Sequence, residues 1–279
     1  MTTSPPLPLN ILVAGIYWSG SGAVVDYLKG HPDCVVPRGE FTDFKRQGRI
    51  GSMLEAASGK EARQLARRMW LETALGKLPA AAWKQRKVSA PSELPLKEQV
   101  FHNRLKLEYL KQYRAHLAAG GAPSDDSVWN QWLQALGARL AGNHKAVVWN
   151  QPIWVGKHEA CWPGVFSPAF DDSEQDDIAY VLKGIAAKLE HLKALEQTLP
   201  MGHLLTVNFE TFVKDHSREA ERITRYLGLE NRQGNDAPFD PSQSIKNIGI
   251  GQEEKIQSML KPYRPLVDRL YELREQLRE

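Results

Sequence analysis

The chain has 279 residues, 42% of them apolar and 25% charged, which suits one large globular domain or two small ones and excludes collagen-like, coiled-coil and wholly disordered designs. Lys and Arg number 36 against 33 Asp and Glu, a formal charge of +3, too small to argue for nucleic acid by itself. Cys34 and Cys161 form neither a disulfide framework nor a paired metal-ligand spacing; with no signal-like N-terminus and no apolar run long enough to span a bilayer, this predicts a soluble cytoplasmic protein without structural zinc.

The first predicted element is a strand at Asn10–Gly15, NILVAG, which switches into the glycine-dotted turn IYWSGSG. AVVDYLKG follows as a helix ending at Gly30, with His31-Pro32 behind it. Strand, loop and helix in this order open an α/β fold. From about 52 to 140 the pattern becomes helical and basic: apolar residues recur at three and four spacing in EARQLARRMWLETALGKL and EQVFHNRLKLEYLKQYRAHLAA, punctuated by Pro79, Pro91, Pro95 and Pro123. Lys60 to Arg114 holds 13 Lys or Arg against 5 Asp or Glu, a net of +8. That excess reads either as solvated helix faces or as a surface for an anionic ligand.

Two more strands are predicted at Lys145–Asn150, KAVVWN, and His203–Asn208, HLLTVN. The second runs into a helix, FETFVKDHSREAERITRYLGL, that stops at Gly228. Between these strands, Gln151–Asp177 is the least regular stretch and ends in DDSEQDD, five acids in seven residues, which reads as a solvated loop. A last helix, Glu253–Leu277, is broken by Pro262 and Pro265. The whole predicts a single domain, 1–279: a three-layer, P-loop-like α/β fold with a mostly parallel sheet and a helical insertion.

Gly15 to Gly22 keeps the G-x-x-x-x-G spacing of a phosphate loop. Backbone N–H groups at the start of the following helix favour an anion through their orphan donors and the helix dipole. After Gly20 stand Ser21 and Gly22, where an ATP or GTP loop carries Lys and then Ser or Thr. The usual cation on the β/γ-phosphates and the magnesium ligand are therefore missing. A dinucleotide G-x-G-x-x-G register does not fit either.

GIYWSGSGAVVDYLKGHPDCVVPRGEF resembles the 5'-phosphosulfate loop, helix and following glutamate of the sulfotransferase superfamily, which transfers a sulfuryl group from 3'-phosphoadenosine 5'-phosphosulfate (PAPS). VNFETFVKDHSREAERITRYLGLE is similar to that family's late strand and L-G-L helix, and SIKNIG at Ser244–Gly249 to its loop over the nucleotide. The resemblance puts Trp18, Ser19, Gly20, Ser21, Gly22 and Ala23 around the 5'-phosphosulfate, and Ser244, Lys246, Asn247 and Gly249 in the closing loop. It makes Glu40 the base that takes the acceptor proton, with Lys45 and Arg46 beside it for substrate. PAPS is the implied co-substrate, with no metal, and the acceptor a hydroxyl of a saccharide or small metabolite.

Two positions depart from the family. Trp18 stands where most members have Lys or Arg before the S-G, and PAFDDSEQDDIAYVL lacks the arginine that holds the 3'-phosphate. The acids of 171–177 are expected to face solvent or the basic helices, and Lys246 or the basic helical section to supply the missing cation. His158 reads as a loop imidazole or an acceptor-site base, and its spacing to Cys161 suits no metal site. Trp149, Trp154 and Trp162 line an acceptor pocket or pack in the core. The other readings are a non-catalytic member of the same fold and a divergent P-loop kinase.

Overall fold

The computed structural model describes residues 7–13, 15, 20–37, 41, 43, 50–74, 96–150, 176–198, 200–232, 239–249 and 252–277. The chain is mixed α/β, mostly helical, with one small three-stranded parallel sheet. It divides into two compact units, one of residues 1–14 and 32–164, the other of residues 15–31 and 165–279.

In the first unit β1 (Leu9–Val13) and β2 (Cys34–Val35) flank β3 (Ala146–Asn150), giving the order β1-β3-β2. Leu9 pairs with Ala146 and Val13 with Asn150, while Cys34 also pairs with Ala146. Ala146 to Trp149 are all buried, as the central strand of a parallel sheet requires. Among the described residues the same unit holds the helices α2 (Ile50–Leu54), α3 (Gly59–Ala74), α4 (Leu96–Ala118) and α5 (Ser127–Ala141). Their core is aromatic, with Trp129 and Trp132 edge to face at 5.9 Å and Tyr113 donating to the Pro123 carbonyl at 2.6 Å. Asn10 ties β1 to this core: its Oδ1 accepts from Trp149 Nε1 at 2.9 Å and its Nδ2 donates to Gln134 at 3.0 Å. Gly137 in α5 is where the Asn10 amide makes its close approach, since a Cβ there would overlap Oδ1. This explains a helix-interior glycine that otherwise costs up to about 1 kcal/mol against alanine.

The second unit holds α1 (Ser21–Lys29), α6 (Asp177–Thr198), α7 (Phe209–Lys214), α8 (His216–Tyr226), α9 (Pro241–Ser244) with a 3-10 turn at Ile245–Asn247, α10 (Glu254–Leu260), a 3-10 turn at Lys261–Tyr263, and α11 (Arg264–Gln276). Pro262 and Pro265 stand at the starts of the last turn and of α11, where a missing N–H is tolerated. Helix α8 ends in a Schellman closure, with Gly228 at φ 64, its N–H on the Arg225 carbonyl and the Leu229 N–H on the Thr224 carbonyl. Gly30 also ends its helix, but at φ −76, so α1 stops without a left-handed residue.

One predicted strand is not formed. Residues 203–208 have no ladder partner among the described residues; the Thr206 carbonyl accepts instead from Arg222 at 3.0 Å, and the Thr206 hydroxyl donates to Glu196 at 2.9 Å. Arg222 is held for this by Glu219, which is buried. The backbone acceptor a ladder would need is spent on a guanidinium.

His216 packs against the rings of Tyr27, Phe212 and Phe239, at 5.5, 4.9 and 5.1 Å. Burial pushes its pKa below the ordinary 6.5, partly opposed by a hydrogen bond to the Phe212 backbone. The unfolded chain therefore binds this proton first, and stability is lost as pH falls below about 6.5 and through the lower folded value. Thermal melts at pH 7.5 and 5 should show this loss, and His216→Phe should reduce it; an unchanged pH dependence would place its source elsewhere.

Candidate functional site

Gly20 is the N-cap of α1 and lies in the left-handed region at φ 82. A Cβ there would overlap the ring of Phe209, so the position is reserved for glycine twice over, by backbone conformation and by contact. Gly20 has no side chain with which to cap α1, and no acid stands in the first turn of the helix; the Ala23 N–H turns back to the Gly20 carbonyl at 2.9 Å. A helix start of this kind, carrying the positive end of the dipole and no acid in its first turn, suits an anion. Gly22 differs from Gly20: a Cβ on it would meet nothing within 4 Å. No described residue demands glycine there.

Helix α7 is the support. Asn208 caps it, its Oδ1 accepting from the Thr211 N–H at 3.0 Å, and Phe209 at its first position seats Gly20. The same helix packs along α9 and the 3-10 turn Ile245–Asn247. Farther along α1, Tyr27 donates to the Ala220 carbonyl at 3.3 Å, and the buried His31 donates through Nε2 to the Glu230 carbonyl at 2.8 Å. Gly20, Tyr27 and His31 thus tie α1 and its flanks to the segment 208–230, and α7 also packs on the segment Pro241–Asn247. Ser244 ends α9 half exposed, Lys246 is exposed with no carboxylate partner among the described residues, Asn247 belongs to the 3-10 turn, and Gly249 has φ 83.

The first unit holds a second polar cluster that the sequence reading passed over. Asp43, 5% exposed, is ion-paired with Lys106 and lies 3.1 Å from the imidazole of His102. His102 stacks on Trp132 at 5.7 Å, and Lys106 lies 6.0 Å from the same ring. Phe41 stacks between Trp132 and Trp149, at 5.9 and 4.5 Å, and its N–H donates at 2.8 Å to the carbonyl of Asn150, the last residue of β3. Phe41 is therefore anchored at the carboxyl end of the central strand, where parallel sheets place their ligands, while Asp43 is held by α4. No spacing rule links Asp43 to Lys106 across 63 residues. The signal available was a lone Lys on the apolar face of a helix.

Trp18, Ser19, Glu40, Lys45, Arg46 and His158 lie outside the described residues, as do Trp154, Trp162, Cys161 and most of the acidic stretch. Of that stretch, Asp176 caps α6: its Oδ1 accepts from the Ile178 and Ala179 N–H groups at 3.0 Å, and Tyr263 donates to its other oxygen. The Tyr263 bond first, and then these amides, hold its carboxyl below the usual range. Trp149 is buried with its indole N–H on Asn10, in the core rather than lining an acceptor pocket. Burial, with Asp33 beside it, pushes the Cys34 thiol up to about 12, which leaves it without nucleophilic thiolate. Among the described residues no group of three or more His, Cys, Asp or Glu could hold a metal ion, and no helix is long and apolar enough to cross a membrane. Comparison with family models, curated proteins and solved structures gives no match.

Proposed function

We propose that the chain is a PAPS-dependent sulfotransferase that moves a sulfuryl group to a hydroxyl of a saccharide or small metabolite, built on a P-loop-like three-layer α/β fold and working in the cytoplasm. The observation that carries this reading is the packing of Gly20–His31 on 208–230: the segments that resemble the family stand at opposite ends of the sequence, yet Gly20 sits on Phe209, Tyr27 bonds to Ala220 and His31 to Glu230.

In this reading the N-terminal amides of α1 receive the 5'-phosphosulfate and stabilise the charge that moves onto the bridging oxygen as its bond to sulfur breaks. The acceptor oxygen forms the new bond to sulfur in a single in-line displacement and gives its proton to the Glu40 carboxylate. Lys246, on the turn packed beside α7, supplies a cation for the 3'-phosphate that the acidic central stretch lacks.

The test is transfer from labelled PAPS to a panel of sugar and small-molecule hydroxyls by wild type and Glu40→Gln. The substitution keeps the shape and removes the base, so the rate should fall by roughly 10² to 10⁴ with nucleotide affinity unchanged. Survival of turnover within a few-fold would make Glu40 structural and His158 the next base to test. Nucleotide binding with no transfer at all favours the non-catalytic member of the fold, a reading to which Trp18 in place of the family cation also points.

A further inference from the structure

Helices α3 and α4 pack along one another, and the groove between them, about 630 Å³, is lined by Lys60, Arg63, Gln64 and Arg67 from α3 and by Lys111 and Arg114 from α4, with Ala115 and Ala118 also on its wall. On both helices the lining residues fall at i, i+3, i+4 and i+7, one stripe each, while α3 turns Ala62, Ala66 and Met69 to the core. The five cations are exposed, and among the described residues none has a carboxylate partner. The acids of α3 are used elsewhere: Glu61 accepts from the Ala57 N–H at its N-terminus, and Glu72 pairs with Arg68.

Lys60 with Arg63, Arg63 with Arg67, and Lys111 with Arg114 are like-charge neighbours three or four residues apart, an arrangement that destabilises a helix unless something negative lies between the stripes. The stripes run about 10 Å, with cations roughly 5 Å apart along each axis. Among the described residues no aromatic side chain lines the groove, so they offer no stacking platform of the kind that single-stranded nucleic acid uses, and the alanines leave room rather than grip. We infer that this groove binds a short linear chain of phosphoryl or sulfuryl groups, held by charge-assisted hydrogen bonds from the two stripes. The inference goes beyond the sulfotransferase reading and does not depend on it.

Tripolyphosphate, titrated calorimetrically at low salt, is the probe. Wild type should bind it, and Arg63→Ala/Arg67→Ala should weaken binding roughly tenfold or more. Arg68→Ala, which removes a charge from the same helix outside the groove, should leave affinity within about twofold. The double variant should keep or raise the melting temperature, because it relieves like-charge repulsion, whereas Arg68→Ala, which loses the pair with Glu72, should lower it slightly. Ala115→Glu, an exposed change that puts a carboxylate into the groove, should also weaken binding. A sulfated disaccharide and tripolyphosphate compared in parallel tell the sulfuryl source from the phosphoryl one, and tighter binding of either supports the inference. Absence of binding, equal losses in the Arg68 variant, tighter binding of a single-stranded oligonucleotide, or displacement of tripolyphosphate by 3'-phosphoadenosine 5'-phosphate would overturn it. The last outcome would merge the groove with the nucleotide site; failure of nucleotide binding alone would leave the groove untouched.

Discussion

Gly20→Val should lower both the stability of the protein and its affinity for nucleotide. From the loop spacing alone, the expected loss is in binding, because a Cβ would stand where the backbone must approach the phosphosulfate. The Phe209 ring adds a second cost. A non-glycine residue at φ 82 costs about 1–2 kcal/mol, and forcing a branched side chain against the ring adds roughly 1–3 kcal/mol. Against a total stability of about 5–15 kcal/mol this is a large fraction, and a drop of several degrees in melting temperature should be plain. Loss of binding in that variant would then be ambiguous. Gly22→Ala separates the two effects. Its new methyl meets no atom of the described residues, so the fold should be unchanged or slightly stabilised. Affinity for 3'-phosphoadenosine 5'-phosphate should fall about tenfold, about 1.4 kcal/mol. Full binding by Gly22→Ala would show that no ligand occupies the space over the first turn of α1.

Removing one partner of the Asp43–Lys106 pair should have the largest effect on stability. Both side chains are nearly buried, Lys106 at 8% exposure. Asp43→Ala leaves an ammonium without its carboxylate, for which a cost of about 3–5 kcal/mol is expected. Lys106→Met leaves Asp43 with His102 at 3.1 Å and should cost less. Urea unfolding of the single variants and of Asp43→Ala/Lys106→Met closes a double-mutant cycle. The double variant should be more stable than Asp43→Ala, because the stranded charge is gone. A double variant that loses the sum of both singles would mean that the two residues act independently.

The short-range features were legible. An apolar run feeding a glycine turn marks β1, Gly228 closes α8 with the hydrogen bonds its position implies, and the two prolines cut the final helix where an N–H can be spared. The run at 203–208 was misleading because apolar alternation does not reveal that Arg222 takes the Thr206 carbonyl. Helix α6 was hidden by the acids before it: Asp176 reads as one of five charges in a loop, yet it is the cap that starts the helix. At the site, Asn208 and Phe209 stand inside the segment that resembles the family's late strand and helix, but their physical task, capping α7 and seating Gly20, depends on packing between distant segments. The Asp43 cluster and the paired basic stripes of α3 and α4 depend on tertiary contact in the same way, and only the excess of charge between Lys60 and Arg114 hinted at the second.

The most direct measurement is a pair of calorimetric titrations, 3'-phosphoadenosine 5'-phosphate against adenosine 5'-phosphate, on wild type and on Lys246→Ala. The two ligands share the 5'-phosphate that the α1 N-terminus would receive and differ only in the 3'-phosphate. Wild type should bind the bisphosphate at least tenfold more tightly, a difference of about 1.4 kcal/mol or more, and Lys246→Ala should erase most of that difference while leaving adenosine 5'-phosphate binding unchanged. Equal affinity of the wild type for both nucleotides, or binding of neither, would contradict the assignment of this chain as a PAPS-dependent sulfotransferase.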